Sequence, residues 1–154
     1  MPNKVLVMPR PNEKQLLALR ERHRYVGYGG ARGGGKSWFV RWKAILLCLH
    51  YPGIKVLITR RTYKELFNNH ISPLRQLLGG IAEYRSTDKL FWFPNGSTIS
   101  FGYCAADADL GQYQGAEYDV WFADEAGQFQ EEWLTQIDAC VRGVNGFPKR
   151  TYYT

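Results

Sequence analysis

The sequence predicts an α/β domain in which a mostly parallel sheet is flanked by helices. Two observations predict this fold class. Short apolar, β-branched runs alternate with longer helical patterns, and the run at 55–60 has the composition of a buried strand. The composition of the 154 residues, 45% hydrophobic and 22% charged, is that of a globular protein. It excludes a disordered chain, a collagen-like repeat and a disulfide scaffold.

Local signals set the boundaries of the predicted elements. Asn12 is expected to begin the first helix, with Gln15 in its first turn, and Thr62 to cap a later helix that Pro73 interrupts. Asn95-Gly96 is a short-range hairpin signal. The expected helices cover 12–24, 36 to about 50, 62 to about 78, and 131–141. The expected strands cover 25–28, 55–60, two strands within 90–101, 120–123, and 150–154.

Charge is distributed unevenly along the chain. Residues 1–64 carry 14 basic and 2 acidic side chains, whereas residues 65–154 carry 6 and 12. A basic half is suited to phosphates of a nucleotide or of a nucleic acid backbone, and an acidic half to a divalent cation. The alternative explanation, solvated surface charge, stays open.

The cysteines and the apolar runs of the sequence indicate where in the cell the protein is expected. Cys48, Cys104 and Cys140 are odd in number and widely spaced, so we expect reduced, mostly buried thiols and no structural metal. The apolar runs are shorter than a membrane span or a signal peptide requires. A soluble protein inside the cell is therefore expected.

A glycine-rich segment between a predicted strand and a predicted helix is the most specific motif. Residues 30–37 read GARGGGKS and fit the pattern G-x-x-x-x-G-K-[ST] of a phosphate-binding P-loop, or Walker A motif. In such a loop the backbone amides and the helix N-terminus surround the phosphates. Lys36 then contacts the β/γ-phosphates and Ser37 binds Mg²⁺. The predicted nucleotide-binding residues here are Gly30, Ala31, Arg32, Gly33, Gly34, Gly35, Lys36 and Ser37. The alternative is a flexible turn.

An acidic pair follows the apolar run at 120–123. A P-loop enzyme needs a carboxylate at the end of a buried strand, the Walker B position, to hold Mg²⁺ together with the loop hydroxyl. Asp124 is the predicted Mg²⁺ ligand, and Glu125 is the predicted group that orients or deprotonates the attacking water. The alternative is that both acids cap the following helix.

Four segments together resemble the N-terminal ATPase domain of the large terminase subunit, the motor that packages tailed-phage DNA. They read YVGYGGARGGGKS at 25–37, VLITRRTY at 56–63, GQYQGAEYD at 111–119 and DEA at 124–126. The resemblance implies a P-loop NTPase fold of the RecA/ASCE-like kind with an inserted β-hairpin. It also implies that the strand at 150–154 lies between the P-loop strand and the Walker B strand.

The same resemblance implies roles for individual residues. Arg32 corresponds to the loop arginine that senses or stabilises the γ-phosphate, and is therefore a predicted catalytic residue beside Lys36 and Glu125. Gln15 corresponds to a glutamine that contacts adenine. Because the chain stops at Thr154, where family members begin a coupling motif, we expect a truncated product: one partial ATPase domain over 1–154, with a helical lead-in at 1–24 and no nuclease domain.

The expected function is that of an ATPase that binds Mg-ATP and drives double-stranded DNA into a procapsid. The resemblance implies a homo-oligomeric ring in the host cytoplasm, transiently at the procapsid portal, with the small terminase subunit and the portal as partners. A helicase-like ATPase and a nucleotide-binding fragment without turnover are the alternatives. Arg60 or Arg61 is the candidate arginine donated to a neighbouring subunit. The aromatic residues of the hairpin, Phe91, Trp92, Phe93 and Phe101, are expected to pack in the core or on the sheet, the alternative being a platform on which bases stack. Candidate DNA-facing bases are Lys4, Arg10, Lys14, Arg20, Arg22, Arg24, Arg41, Lys43, Arg60, Arg61 and Lys64.

Overall fold

A seven-stranded mixed sheet forms the centre of the computed structural model, which describes residues 5–30 and 35–154. The order of the strands across the sheet is β1-β7-β6-β2-β5-β4-β3. The strands are β1 Tyr25–Gly27, β2 Lys55–Arg60, β3 Glu83–Arg85, β4 Leu90–Trp92, β5 Thr98–Tyr103, β6 Val120–Ala123 and β7 Arg150–Tyr153. The predicted α/β class and mostly parallel sheet are confirmed.

The last strand lies inside the sheet. β7 pairs in parallel with β1 through Val26 and Tyr152, and with β6 through Phe122 and Tyr152. This is the implied insertion between the P-loop strand and the Walker B strand, and it is confirmed. Because β1, β7, β6 and β2 are all parallel, their carboxyl ends meet at one edge, where ligands of open α/β sheets bind.

The hairpin lies at the other side of the sheet. β4 and β5 pair antiparallel around the turn at Asn95-Gly96, and β5 also pairs in parallel with β2. The prediction did not include β3, a three-residue strand that pairs antiparallel with β4. Its sequence is too short and too charged to show a strand pattern. Three of the hairpin aromatics, Phe91, Phe93 and Phe101, are buried as expected.

Two helices end earlier than predicted, because residues near their predicted ends pair with distant segments of the chain. The first helix, α1 (Glu13–Arg20), keeps a full capping box between Asn12 and Gln15 but ends before Arg24, whose carbonyl accepts a sheet-type bond from Thr151. The last helix, α5 (Glu131–Asp138), ends before Val141, which forms a parallel bridge with Tyr118. The helices are α1 Glu13–Arg20, α2 Lys36–His50, α3 Tyr63–Leu66, α4 Ser72–Leu78 and α5 Glu131–Asp138.

The predicted interruption near Pro73 takes the form of a π-helical turn, Phe67–Ile71, between α3 and α4. A proline has no backbone N–H to offer the carbonyl four residues earlier, which here belongs to Asn69. The Arg41 guanidinium donates to that carbonyl instead, at 2.6 Å. The chain therefore stays helical, and the wider turn rotates His70 into the interior.

Apolar side chains cover both faces of the sheet. The larger cluster packs α2, α3 and α4 against one face and includes Phe39, Ile58 and Phe122. The smaller cluster packs α5 against the other face and includes Trp121 and Trp133. All three cysteines are buried and free, as predicted. Within the described residues, no helix combines the length and the apolar character needed to cross a bilayer.

Candidate functional site

The glycine-rich loop ends at Gly35, which begins α2. Gly35 lies in the left-handed region, with φ 76° and ψ 16°, and is the N-cap of α2. The Lys36 ammonium donates to the Gly30 carbonyl at 3.1 Å, so this side chain points back toward Gly30. Four of the predicted nucleotide-binding residues, Ala31, Arg32, Gly33 and Gly34, lie outside the described residues, as does Lys4.

Gln15 connects α1 to this loop. Its side-chain oxygen accepts from the Asn12 backbone at 2.9 Å, and its Nε2 donates to the Gly35 carbonyl at 3.2 Å. Lys14 adds a second link, since its ammonium donates to the Gly29 carbonyl. With both ends of its amide bonded to the protein, Gln15 positions the loop in this structure. Its predicted adenine contact stays a prediction.

The acidic pair lies where β6 ends. Asp124 is buried and its backbone N–H donates to Thr59 of β2, so it continues the sheet ladder. Glu125 follows in the left-handed region, with φ 55° and ψ 48°. That conformation is uncommon for a residue with a side chain and costs about 1 to 2 kcal/mol. The chain thereby turns sharply, and the two neighbouring carboxylates take different environments, one buried and one partly exposed.

Three side chains from three elements hold Asp124. His70 Nε2 lies 2.7 Å and Arg60 Nη1 lies 3.1 Å from the same carboxylate oxygen. The Thr154 hydroxyl donates to the other oxygen at 2.7 Å. Both oxygens of the carboxylate are therefore bonded, which fixes its orientation at the carboxyl edge of the sheet.

This network sets the charge state of its members. Burial alone raises the pKa of Asp124, but the hydrogen bonds from His70 and Thr154 and the charge of Arg60 outweigh it. The net result is a pKa well below the usual range, so the carboxylate is ionised. Complete burial lowers the pKa of His70 despite its bond to Asp124. We therefore assign a neutral imidazole that donates from Nε2.

The loop and the acidic pair meet at one cavity of about 660 Å³. Its predicted site residues are Gly30, Gly35, Lys36, Ser37, Asp124 and Glu125, and its other lining residues are Trp38, Arg60, Glu65, Asn69 and Gln128. Hydroxyl and carboxylate oxygens are the donors that Mg²⁺ prefers, so Ser37 and Asp124 form a chemically suitable pair. Residues far apart in sequence thus line a single space large enough for a nucleotide triphosphate tail.

Comparison with known protein families shows which family this chain belongs to. The family described as "Terminase large subunit, T4likevirus-type, N-terminal" matches residues 28–141, well over half of the chain. The chain belongs to the terminase large subunit family. The match includes the P-loop and the Asp124-Glu125 pair, and it confirms the family that the four sequence segments resemble.

Solved structures agree with this terminase assignment at the level of the fold. The large terminase of a thermophilic bacteriophage superposes with a TM-score of 0.74 at 17% identity, over 94% of this chain and 39% of that chain. The same phage's large terminase in complex with ADP gives 0.73 at 18% identity, over 92% and 38%. The large terminase ATPase domain of Thermus phage P74-26 gives 0.70 at 17% identity, over 94% and 65%. No curated protein sequence gives a significant match.

Three residues around this cavity and Asp124 are not assigned these positions by the sequence analysis. Arg60 is predicted only as a candidate donor to a neighbouring subunit, but it is buried and pairs with Asp124 of its own chain. Arg61 is exposed, and its role stays a prediction. Thr154 is conspicuous in the sequence only for its position after β7. His70 carries no local signal, because its place depends on the π-helical turn.

A substitution at the loop tests how Gln15 and Gly35 depend on each other. A methyl group at Gly35 would overlap Gln15 Nε2, and the positive φ would cost about 1 to 2 kcal/mol besides. We expect Gly35→Ala to lower the unfolding midpoint of the nucleotide-free protein by several degrees. Thermal unfolding followed by circular dichroism measures this.

The control is the double variant Gly35→Ala/Gln15→Ala beside Gln15→Ala alone. Removing the glutamine side chain removes the steric clash but leaves the backbone penalty. The double variant is therefore less destabilised than the sum of the two single variants. Strict additivity would contradict the close approach of Gln15 to Gly35.

Proposed function

We propose that this chain is the partial P-loop ATPase domain, with a lead-in at 1–24, of a phage DNA-packaging motor. Its proposed substrate is Mg-ATP. The observation that carries the proposal is the single cavity lined by Lys36, Ser37, Asp124 and Glu125. The family assignment supports the packaging role. Structures of the thermophilic phage's large terminase in complex with ADP and with ATP-γ-S support nucleotide binding by this fold.

Each residue has a proposed part in hydrolysis. Lys36 swings from the Gly30 carbonyl to the β/γ-phosphates, where its charge stabilises the transition state. Ser37 and Asp124 hold Mg²⁺, which neutralises phosphate charge when bound. Glu125 orients and deprotonates the attacking water. Arg32 is proposed to stabilise the γ-phosphate, and Gln15 to contact adenine.

The buried network around Asp124 gives this proposal a physical basis. A carboxylate whose pKa is depressed stays ionised through the pH range of the cell, as a metal ligand must. Among the described residues, no side chain bonds to the Glu125 carboxylate as His70, Arg60 and Thr154 bond to Asp124, and Glu125 is only partly buried. We propose that its carboxylate reorients toward water. The two neighbouring acids are thereby suited to different tasks.

The proposed partners are double-stranded DNA, other copies of this chain in a ring, the small terminase subunit and the portal. The chain spans 39% of the length of the thermophilic phage's large terminase and 65% of the length of the P74-26 ATPase domain. Activities of the complete motor are therefore proposed for the assembly, which we expect to work in the host cytoplasm at the procapsid portal.

The experiment has two readouts on the same preparation. Equilibrium titration with a fluorescent ATP analogue in the presence of Mg²⁺ measures binding, and phosphate release with and without duplex DNA measures turnover. Saturable binding with phosphate release that DNA increases is the expected result. Binding without release would favour the nucleotide-binding module, and absence of binding would refute the proposal.

A further inference from the structure

A second polar cavity lies at the opposite edge of the sheet, near the amino end of β7. It has a volume of about 380 Å³ and takes basic side chains from three segments. These are Arg22 from the α1–β1 connection, Lys43 and His50 from α2, and Arg150 from the first position of β7. Among the described residues, no acidic side chain lines it. The cavity lined by Lys36, Ser37, Asp124 and Glu125, in contrast, lies at the carboxyl edge of the sheet.

Arg150 is the most unusual member of this cavity. Its residue exposure is only 9%, and its guanidinium donates to the Tyr152 hydroxyl at 3.5 Å. Within residues 5–30 and 35–154, no carboxylate pairs with it, whereas the equally buried Arg60 pairs with Asp124. A cation removed from water without an opposite charge is costly. An anion in the cavity would offset that cost.

Lys43 shows the same excess of positive charge. Its ammonium donates to the Leu19 carbonyl at 2.7 Å. Burial, followed by the charges of Arg150 and Arg22, lowers its pKa to about 8. The acidic residue of the α1–β1 connection is Glu21. Its carboxylate is bonded to His23 at 2.6 Å, and it lines a different cavity. The group of cations is therefore not neutralised from within the described part of the chain.

We propose that this basic cavity, formed by Arg22, Lys43, His50 and Arg150, is a binding site for a phosphate group. Guanidinium groups bind phosphate through paired N–H donors, and an ammonium adds a point charge. Two sources share this chemistry: a phosphodiester of a DNA backbone and a small phosphate compound. The DNA source rests on the proposed packaging function, whereas phosphate binding itself does not.

The test titrates inorganic phosphate and, separately, a short DNA duplex into the chain carrying Lys36→Ala, which removes the P-loop lysine from the measurement. Amide chemical shifts report binding at residues 19–24 and 43–50. Arg22→Gln and Lys43→Gln each remove one charge from the cavity, and glutamine at 43 retains a donor for Leu19. Arg85→Gln is the matched control, because it removes one exposed charge on β3 at the far side of the sheet.

We expect phosphate to shift the amide resonances of residues 19–24 and 43–50. Arg22→Gln and Lys43→Gln each weaken phosphate binding about tenfold or more. Arg85→Gln leaves the affinity unchanged. If DNA is the source, the same two variants also weaken duplex binding, and each reduces the slope of log K against log salt by about 0.9. If these two variants lose phosphate binding but bind the duplex as the parent chain does, the natural ligand is a small phosphate compound.

The pH dependence supplies an independent readout. Because the Lys43 ammonium loses its proton near pH 8, phosphate affinity falls between about pH 8 and pH 9.5 in the parent chain, where the phosphate probe is already a dianion. The other charged or titratable side chains that line the cavity with Lys43 are Arg22, His50 and Arg150. Tyr51 and Tyr152 border the cluster, and burial raises the pKa of Tyr152. The fall is smaller in Lys43→Gln. Equal phosphate affinity in all variants, or shifts confined to the P-loop, would overturn the proposal.

Discussion

Glu125→Gln is expected to reduce phosphate release by about 10²- to 10⁴-fold while ATP binding stays within a few-fold of the parent chain. The amide keeps the size of the side chain but does not accept a proton from water. Binding is spared because Glu125 does not hold Asp124 in place: that carboxylate is fixed by His70, Arg60 and Thr154. Single-turnover phosphate release beside a binding titration separates the two quantities.

Two further variants make this result specific. Glu131→Gln changes an exposed glutamate in the first turn of α5, outside the cavity, and keeps full turnover. Glu125→Asn also lacks the carboxylate, but asparagine tolerates the left-handed backbone at this position, so its loss of turnover is not due to added strain. Turnover of Glu125→Gln equal to that of the parent would remove Glu125 from the mechanism.

Lys36→Ala is expected to cause a large loss of ATP affinity, and of turnover with it. The ammonium is the positive charge that the described part of the loop places at the cavity, and a hydrogen bond to a charged group contributes about 1.5 to 3 kcal/mol. The affinity for ATP therefore falls by roughly tenfold to a hundredfold or more. In the nucleotide-free chain, the Lys36 ammonium bonds to the Gly30 carbonyl at the exposed surface, so little stability is lost.

Lys55→Ala is the matched control for this loss. It removes the same charge from an exposed position at the amino end of β2, away from the loop. We expect unchanged ATP affinity in that variant. Thermal unfolding of both proteins without nucleotide shows that each is folded. Retention of ATP affinity in folded Lys36→Ala would contradict the assignment of residues 30–37 as a phosphate-binding loop.

Local patterns were sufficient for most elements. α2 and β2 have the predicted bounds, because Pro52-Gly53 ends the helix and a compact run rich in β-branched residues forms the strand. Helix ends were less predictable where the chain pairs with a distant segment, as at Arg24 and Val141. The residues next to a backbone carbonyl or amide in the sequence do not indicate whether that group pairs with a distant segment.

The sequence by itself determined the fold class, the glycine-rich motif and the acidic pair. Each depends on residues that are close together in the chain, whose spacing follows from backbone geometry. Only the tertiary structure decided the partners of Asp124. His70, Arg60 and Thr154 come from a π-helical turn, the end of β2 and the end of β7, which strand order brings together.

The buried Arg150, which no carboxylate of the described residues pairs with, was likewise decided by tertiary structure. Its sequence neighbours predict only a strand, and its burial beside Lys43 follows from the packing of α2 on β7. The physical reason is the same for Asp124 and for Arg150. Solvation and charge depend on what surrounds a side chain in space, and that is set by contacts between segments distant in sequence.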